Sequence, residues 1–263
     1  MVSRGLLVLS AGLLLAGCGG STAQGTTPSA SPGQVKVATP SPSATPSSAC
    51  LTAPLFQFSG QVATCVSVAS GNFDGKSTDE TIDLYTVQGQ NPGQQPYWVR
   101  AYLANQQVLT VDLRTLHQDI SAARFLGAAD ANGDGKDEVF VVLKHDSTND
   151  SVAILGVVAQ NLRLASVVKG SGQGSDLFPL GGNSTHFNTL DCQGNSPNKS
   201  LVATDWSTPD GGKTFNWQSS TYSWSGLDLT NASSSKGSTS TPPSPAPSQN
   251  LEGLHCPPLG TGV

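Results

Sequence analysis

Three nonapeptides of one design, spaced about sixty residues apart, constrain this chain more than any other feature. NFDGKSTDE (72–80), DANGDGKDE (130–138) and DCQGNSPNK (191–199) each carry glycine in fourth place, at Gly75, Gly133 and Gly194, which are 58 and 61 residues apart. Each follows a short apolar stretch (VSVASG, ARFLGAA, HFNTL) and runs into short β-branched segments bounded by Gly, Asn, Asp or Pro, the composition of strands. The order of pieces after each loop is the same. The first copy gives TIDLYTV, PYWVRAYL and QVLTVDL; the second EVFVVLKH, SVAILGVV and LRLASVV; the third SLVATDW, KTFNWQSSTY and GLDLT. Self-similarity at a fixed period predicts an array of supersecondary units, here antiparallel meander repeats over about 60–117, 118–180 and 181–230 in an all-β domain. Only Leu113, Leu116 and Ile120 fall at helical spacing, which allows a single short helix.

The second nonapeptide has the chemistry of a cation loop. A hard cation such as Ca²⁺ takes six or seven oxygens, and a tight loop offers them from alternate positions. Asp130, Asn132 and Asp134 supply side-chain oxygens at places one, three and five, Lys136 a backbone carbonyl at seven and Glu138 a carboxylate at nine. An EF-hand needs a glutamate at place twelve, where Val141 stands, so that reading fails. A plain polar turn is the alternative, but three carboxylates within a few ångströms repel unless something positive lies between them. The other copies are degenerate. The first has Asn72 at place one and Lys76 at place five; the third keeps Asp191 but has Asn195 and Lys199 at five and nine. One calcium site is therefore expected.

The stretch DANGDGKDEVFVV resembles the FG-GAP or VCBS type repeat of integrin-α-like propellers and of many bacterial secreted proteins. That resemblance implies a β-propeller, yet three units are too few for a closed ring of four or more blades. It leads us to expect a small or incomplete propeller-like array, with an extra sheet from residues 50–70. Thr208-Pro209-Asp210-Gly211-Gly212-Lys213-Thr214-Phe215 is similar to the Asp-box of sialidase-like propellers. It implies that Asp210 caps a hairpin turn, that glycine takes a positive φ and that Phe215 packs beneath; a plain hairpin is the alternative.

Both ends of the chain read differently from its middle. Residues 1–17 combine one basic residue, Arg4, with an apolar run and small residues, as a secretory signal does. Leu15-Ala16-Gly17-Cys18 looks like the lipobox of bacterial lipoproteins, which implies a diacylglycerol thioether on Cys18; an ordinary signal peptide is the alternative. Residues 18–49 are Ser, Thr, Pro, Gly and Ala with almost no large apolar side chain, so they read as a disordered tether reaching about 90 Å if extended. Residues 231–263 read as a second disordered, Ser/Pro-rich tract, which leaves 50–230 as the folding part. Cys50, Cys65, Cys192 and Cys256 remain after Cys18 is set aside. In an oxidising compartment they predict two disulfides with three pairings open, Cys50–Cys65 with Cys192–Cys256 preferred because it accounts for a lone cysteine beyond the tract. A zinc site would be the rival, but the chain has no Cys-x-x-Cys pair.

Losing Arg4 moves the formal charge from −5 to −6, and no basic cluster remains, which argues against nucleic acid or anionic lipid as partner. Gly75-Lys76-Ser77 and Gly212-Lys213-Thr214 lack the earlier glycine of a phosphate-binding loop, since Ser70 and Ser207 stand there, so no nucleotide is expected. Ser166-Val167-Val168-Lys169 has no companion motif of a penicillin-binding enzyme, and the four histidines have no ligand spacing. Trp206, Trp217, Tyr222 and Trp224 crowd one segment; cross-strand packing is favoured over an exposed stacking platform. No catalytic residue is assigned. The expectation is an extracytoplasmic lipoprotein, held to the membrane by its lipid, that presents a calcium-stabilised β domain to an envelope protein or glycan. The alternative is a glycan-acting hydrolase of sialidase-like type.

Overall fold

The computed structural model describes residue 50 and residues 54–59, 61–76, 80–87, 96–169, 172–173, 177–241, 253–256 and 260–261. The domain is all-β with antiparallel sheets; among the described residues the one helix bounded at both ends is a short one. Five strands form the first sheet in chain order: β1 (Phe56–Phe58), β2 (Gln61–Gly71), β3 (Glu80–Thr86), β4 (Tyr97–Tyr102) and β5 (Val108–Asp112). A single turn of helix, α1 (Leu113–Leu116), follows, capped by Asp112, whose Oδ1 accepts the Arg114 N–H at 3.0 Å.

The second sheet, a curled half-barrel, has thirteen strands. They are β6 (Arg124–Ala129), β7 (Glu138–His145), β8 (Asn149–Val158), β9 (Asn161–Leu164), β10 (Ser166–Lys169) and β11 (Gly172–Gln173). β12 (Phe178–Gly182), β13 (His186–Gln193), β14 (Ser200–Ser207), β15 (Phe215–Ser225), β16 (Asp228–Thr239), β17 (Leu254–His255) and β18 (Gly260–Thr261) complete it. Its main path runs β11-β10-β16-β15-β14-β13-β12-β8-β7-β6-β18, with β9 on β8 and β17 on β13.

Strand β7 explains why the chain needs an unbroken apolar run at 139–143. Val139, Val141 and Leu143 pack with Ile82, Leu84 and Val99 of the first sheet in one core, while Phe140 and Val142 pack with Ile154, Leu190 and Leu201 in a second. A strand buried on both faces cannot alternate apolar with polar. Each such side chain contributes about 1.5–3 kcal/mol by leaving water.

In the large sheet, β13, β14 and β15 pair in unbroken register and β16 pairs β15 with one bulge. Residues opposite one another share a face, and so do alternate residues along a strand. On one face Cys192, Leu201 and Tyr222 line up in the second core; two residues on come Leu190, Ala203 and Ser220. Further along, that same face becomes wholly polar. On the opposite face Phe187, Trp206, Trp217 and Gly237 stand in a row across four strands. Phe187 and Trp206 stack at 5.9 Å, Trp206 and Trp217 meet tilted at 6.4 Å, and the Trp217 ring lies so close over Gly237 that a Cβ there would sit 2.7 Å from it.

Three expectations are revised. The expected extra sheet does not stand apart: β1 and β2 pair directly into the first copy's meander. The copies are not three separate blades either, because the second and third share one continuous sheet. Finally, residues 231–239, read as disordered, extend β16, and Leu254–His255 pairs with β13. Serine and threonine there are held by backbone pairing to a partner already fixed in the sheet, which composition alone does not register. The two disulfides are Cys50–Cys65 and Cys192–Cys256, the preferred pairing.

Candidate functional site

The three nonapeptides meet. They connect β2 to β3, β6 to β7 and β13 to β14, the corresponding antiparallel joints, and each touches the next. Asn72 of the first donates its backbone N–H to Asp137 Oδ2 (2.7 Å) and its side-chain amide to the Gly135 carbonyl (3.0 Å); the Asp137 N–H returns to the Asn72 carbonyl at 2.8 Å. In the third, Ser196 Oγ donates to Asp130 Oδ2 at 3.3 Å and the Lys199 ammonium to the Asp130 carbonyl. The fourth-place glycines serve this approach. A Cβ on Gly75 would touch the Lys136 side chain at 3.5 Å, and one on Gly133 the Pro197 backbone at 3.1 Å, so fourth place faces seventh place of the next copy both times. All three glycines have φ between 84° and 92°, in the left-handed region.

Internally the first two loops are built alike. Glu80 Oε2 accepts the N–H groups of Phe73 (2.7 Å) and Asp74 (2.9 Å); Glu138 Oε2 accepts that of Ala131 (2.9 Å) while its Oε1 accepts the Asn132 amide (3.0 Å). At place three, Asp74 Oδ1 takes the Lys76 N–H and Asn132 Oδ1 the Asp134 N–H. Asp130 Oδ1 accepts from Gly133 at 2.6 Å and Asp134 Oδ1 from Lys136 at 2.9 Å. The predicted ligands therefore stand on one loop, with side-chain oxygens of Asp130, Asn132, Asp134 and Glu138 engaged by that loop's own N–H groups. Among the described residues no three His, Cys, Asp or Glu side chains converge as a ligand group.

The electrostatics answer the repulsion argument in two ways that sequence reasoning missed. Burial pushes the Glu138 carboxyl up to about 8, and the negative charges of Asp134 and Asp130 add to the shift, against the pull of the Ala131 and Asn132 N–H groups. The Lys199 ammonium, 3.6 Å from Asp130 Oδ2, supplies a positive charge from the third loop. In the first loop Lys76 does the same from within, 2.7 Å from Asp74, and holds that carboxyl below its ordinary range.

The second site is the polar end of the half-barrel face, which we call the mouth. One row across the strands is Asn188, Asp205, Gln218 and Lys236; the next is His186, Ser207, Asn216 and Ser238. All of these but Asn188 and His186 border, together with Trp217 and Gly237, an open groove of about 520 Å³, which shares Asp205 and Gln218 with a smaller hollow of about 230 Å³ that reaches Asn188 and Tyr222. His186 Nε2 lies 3.4 Å from Asp205 Oδ1, and Ser238 Oγ donates to Asn216 Oδ1 at 2.7 Å. Alternating polar residues in ATDWS and NWQSS are the one signal of this grid in the sequence.

The crowded aromatics are packing residues: Trp206 and Trp217 belong to the row on the other face, Tyr222 meets Phe178 edge-on at 5.7 Å, and Trp224 packs against the second core. The 208–215 turn has the geometry its motif implies. Asp210 Oδ1 accepts the N–H groups of Lys213 (3.1 Å) and Thr214 (2.8 Å), Gly211 and Gly212 take positive φ, and Phe215 is buried. Cys18, the signal segment and the tether lie outside the described residues. A scan against family models finds no match to this chain, and searches of curated proteins and of solved structures find none either.

Proposed function

We propose that this protein is an extracytoplasmic lipoprotein, anchored by lipid on Cys18, whose β domain binds a component of the cell envelope through the mouth of the half-barrel. The mouth carries the reading: a sheet face that begins as core and ends as two rows of amides, hydroxyls, one imidazole, one carboxylate and one ammonium, exposed or half-buried except for the buried Asn188. Two disulfides suit an oxidising compartment. Binding is favoured over glycan hydrolysis because glycosidases use two carboxylates, and Asp205 is the one carboxylate among the described residues lining the mouth.

A calcium ion at the second loop belongs to the same reading. The donor set fits a hard cation, with carboxylates from Asp130, Asp134 and Glu138, the Asn132 amide oxygen and the Lys136 carbonyl. The copy-to-copy contacts of the loops support an incomplete propeller-like ancestry for the three units.

The test is co-sedimentation of the detergent-purified full chain with isolated envelopes. The parent sediments with them, and joint Asp205→Ala and Lys236→Ala replacement weakens binding at least tenfold, since hydrogen bonds to charged groups are worth about 1.5–3 kcal/mol each. Equal sedimentation of parent and double variant overturns the assignment to the mouth. In cells, Cys18→Ser leaves the membrane fraction or stays unprocessed; unchanged fractionation contradicts the anchor.

A further inference from the structure

The geometry points to a neutral oligosaccharide bearing acetamido groups as the ligand of the mouth. The inference rests on the binding reading above and names its ligand. Neighbouring strands lie about 4.8 Å apart, so each four-residue row spans about 14 Å across β13–β16, the scale of a short oligosaccharide lying across the strands. Alternate residues along a strand are about 6.7 Å apart, which separates the two rows. The result is a repeating grid of hydrogen-bonding groups, suited to a ligand that is itself repetitive.

The groups match sugar chemistry. A carboxamide offers a donor and an acceptor in one plane; Gln218 and Asn216 place two of them along the groove, and the buried Asn188 lines the adjoining hollow. Asp205 accepts and Lys236 donates, on either side of Gln218 in the same row. An acetamido group needs that combination, one acceptor for its N–H and one donor for its carbonyl. Tyr222, half-buried against Phe178 and the second core, also lines the adjoining hollow and gives it an aromatic wall.

Charge narrows the class. The row of Asp205 and Lys236 sums to zero and the chain as a whole carries −5, so a polyanionic glycan gains nothing at the mouth and is repelled by the protein. A protein partner fits less well. Binding hot spots are Trp, Tyr and Arg in desolvated pockets, whereas the groove is open and, apart from Trp217, whose side chain belongs to the row on the opposite face, its side chains are amides, hydroxyls, Asp205 and Lys236.

Calorimetry of the detergent-purified full chain tests this with three probes: the tetramer of N-acetylglucosamine, cellotetraose and a tetrasaccharide alternating uronic acid with an acetamido sugar. The first binds, and the other two bind at least tenfold more weakly. Asp205→Ala and Lys236→Ala each weaken the first probe at least tenfold with melting temperature unchanged, while Ser233→Ala, on the other face, leaves it as it was. Equal affinity for cellotetraose, or an unaltered response in both mouth variants, overturns the acetamido assignment. If envelopes bind the chain but none of the three probes does, and protease treatment of the envelopes abolishes the binding, the ligand is a protein: the inference fails and the binding reading stands. If envelopes do not bind either, both fail.

Discussion

The ammonium of Lys199, ninth residue of the third nonapeptide, donates to the backbone carbonyl of Asp130, first residue of the second, and lies 3.6 Å from its carboxylate. In the first two copies the ninth place holds a glutamate that caps its own loop. The third copy puts a cation there and turns it onto its neighbour. Lys199 thus occupies part of the electrostatic role that calcium fills in the proposed site.

Replacement of Lys199 by Met follows from that competition. Without calcium the variant melts lower than the parent, by about 1–3 kcal/mol of stability, because the buried side of Asp130 loses its partner. With calcium the stabilisation is larger than in the parent, since the ion no longer competes with a tethered ammonium. Melting curves with calcium and with chelator measure both, and an identical calcium response in parent and variant contradicts the competition.

Asp137 ties the first loop to the second, its Oδ2 accepting the Asn72 N–H at 2.7 Å. Asp137→Ala removes this hydrogen bond between the loops and lowers stability by about 0.5–1.5 kcal/mol or more, with or without calcium, because Asp137 is not in the ligand set. Denaturant unfolding gives the value. A loss that calcium restores would place Asp137 in the cation site instead.

Much of this organisation was legible in the sequence, and the reasons differ by element. Strands at 81–87, 139–143 and 201–206 announce themselves because β-branched runs between turn residues have few other ways to fold. The loops are legible as a repeat because the fourth place takes a φ between 84° and 92°, a conformation glycine adopts without steric cost. What the sequence hides is pairing between copies. Nothing local in Lys199 or Asn72 says that its partner lies in another nonapeptide, and nothing in NASSSKGST marks a strand, since its order comes from β15 alongside it. The mouth is obscured for a related reason: polar residues on alternate positions describe any half-exposed strand, and only the register shows that four strands align theirs.

Asp83 gives a pH dependence. Burial in the first sheet raises its carboxyl above the ordinary range, against the Tyr85 hydroxyl that donates to it at 3.1 Å and the charge of Arg100 opposite. The folded chain therefore holds this proton more tightly than the unfolded one. The stability it contributes is full below the ordinary carboxylate value of about 3.9 and is lost as pH rises through the raised folded value. Asp83→Asn keeps an acceptor for Tyr85 and removes that loss, so the variant gains on the parent as pH rises from 4 to 7. Parallel stability curves for the two proteins contradict the assignment.

The cation proposal is that the loop at 130–138 holds calcium, while the loops at 72–80 and 191–199 keep the turn geometry without a site. The most direct measurement is the melting temperature of the full chain in calcium and in chelator, for the parent, Asp134→Ala and Asp74→Ala. The account predicts that calcium raises the parent's melting temperature, that Asp134→Ala abolishes the rise and that Asp74→Ala, whose carboxylate is already paired with Lys76, keeps it. A parent whose melting is indifferent to both calcium and chelator contradicts it.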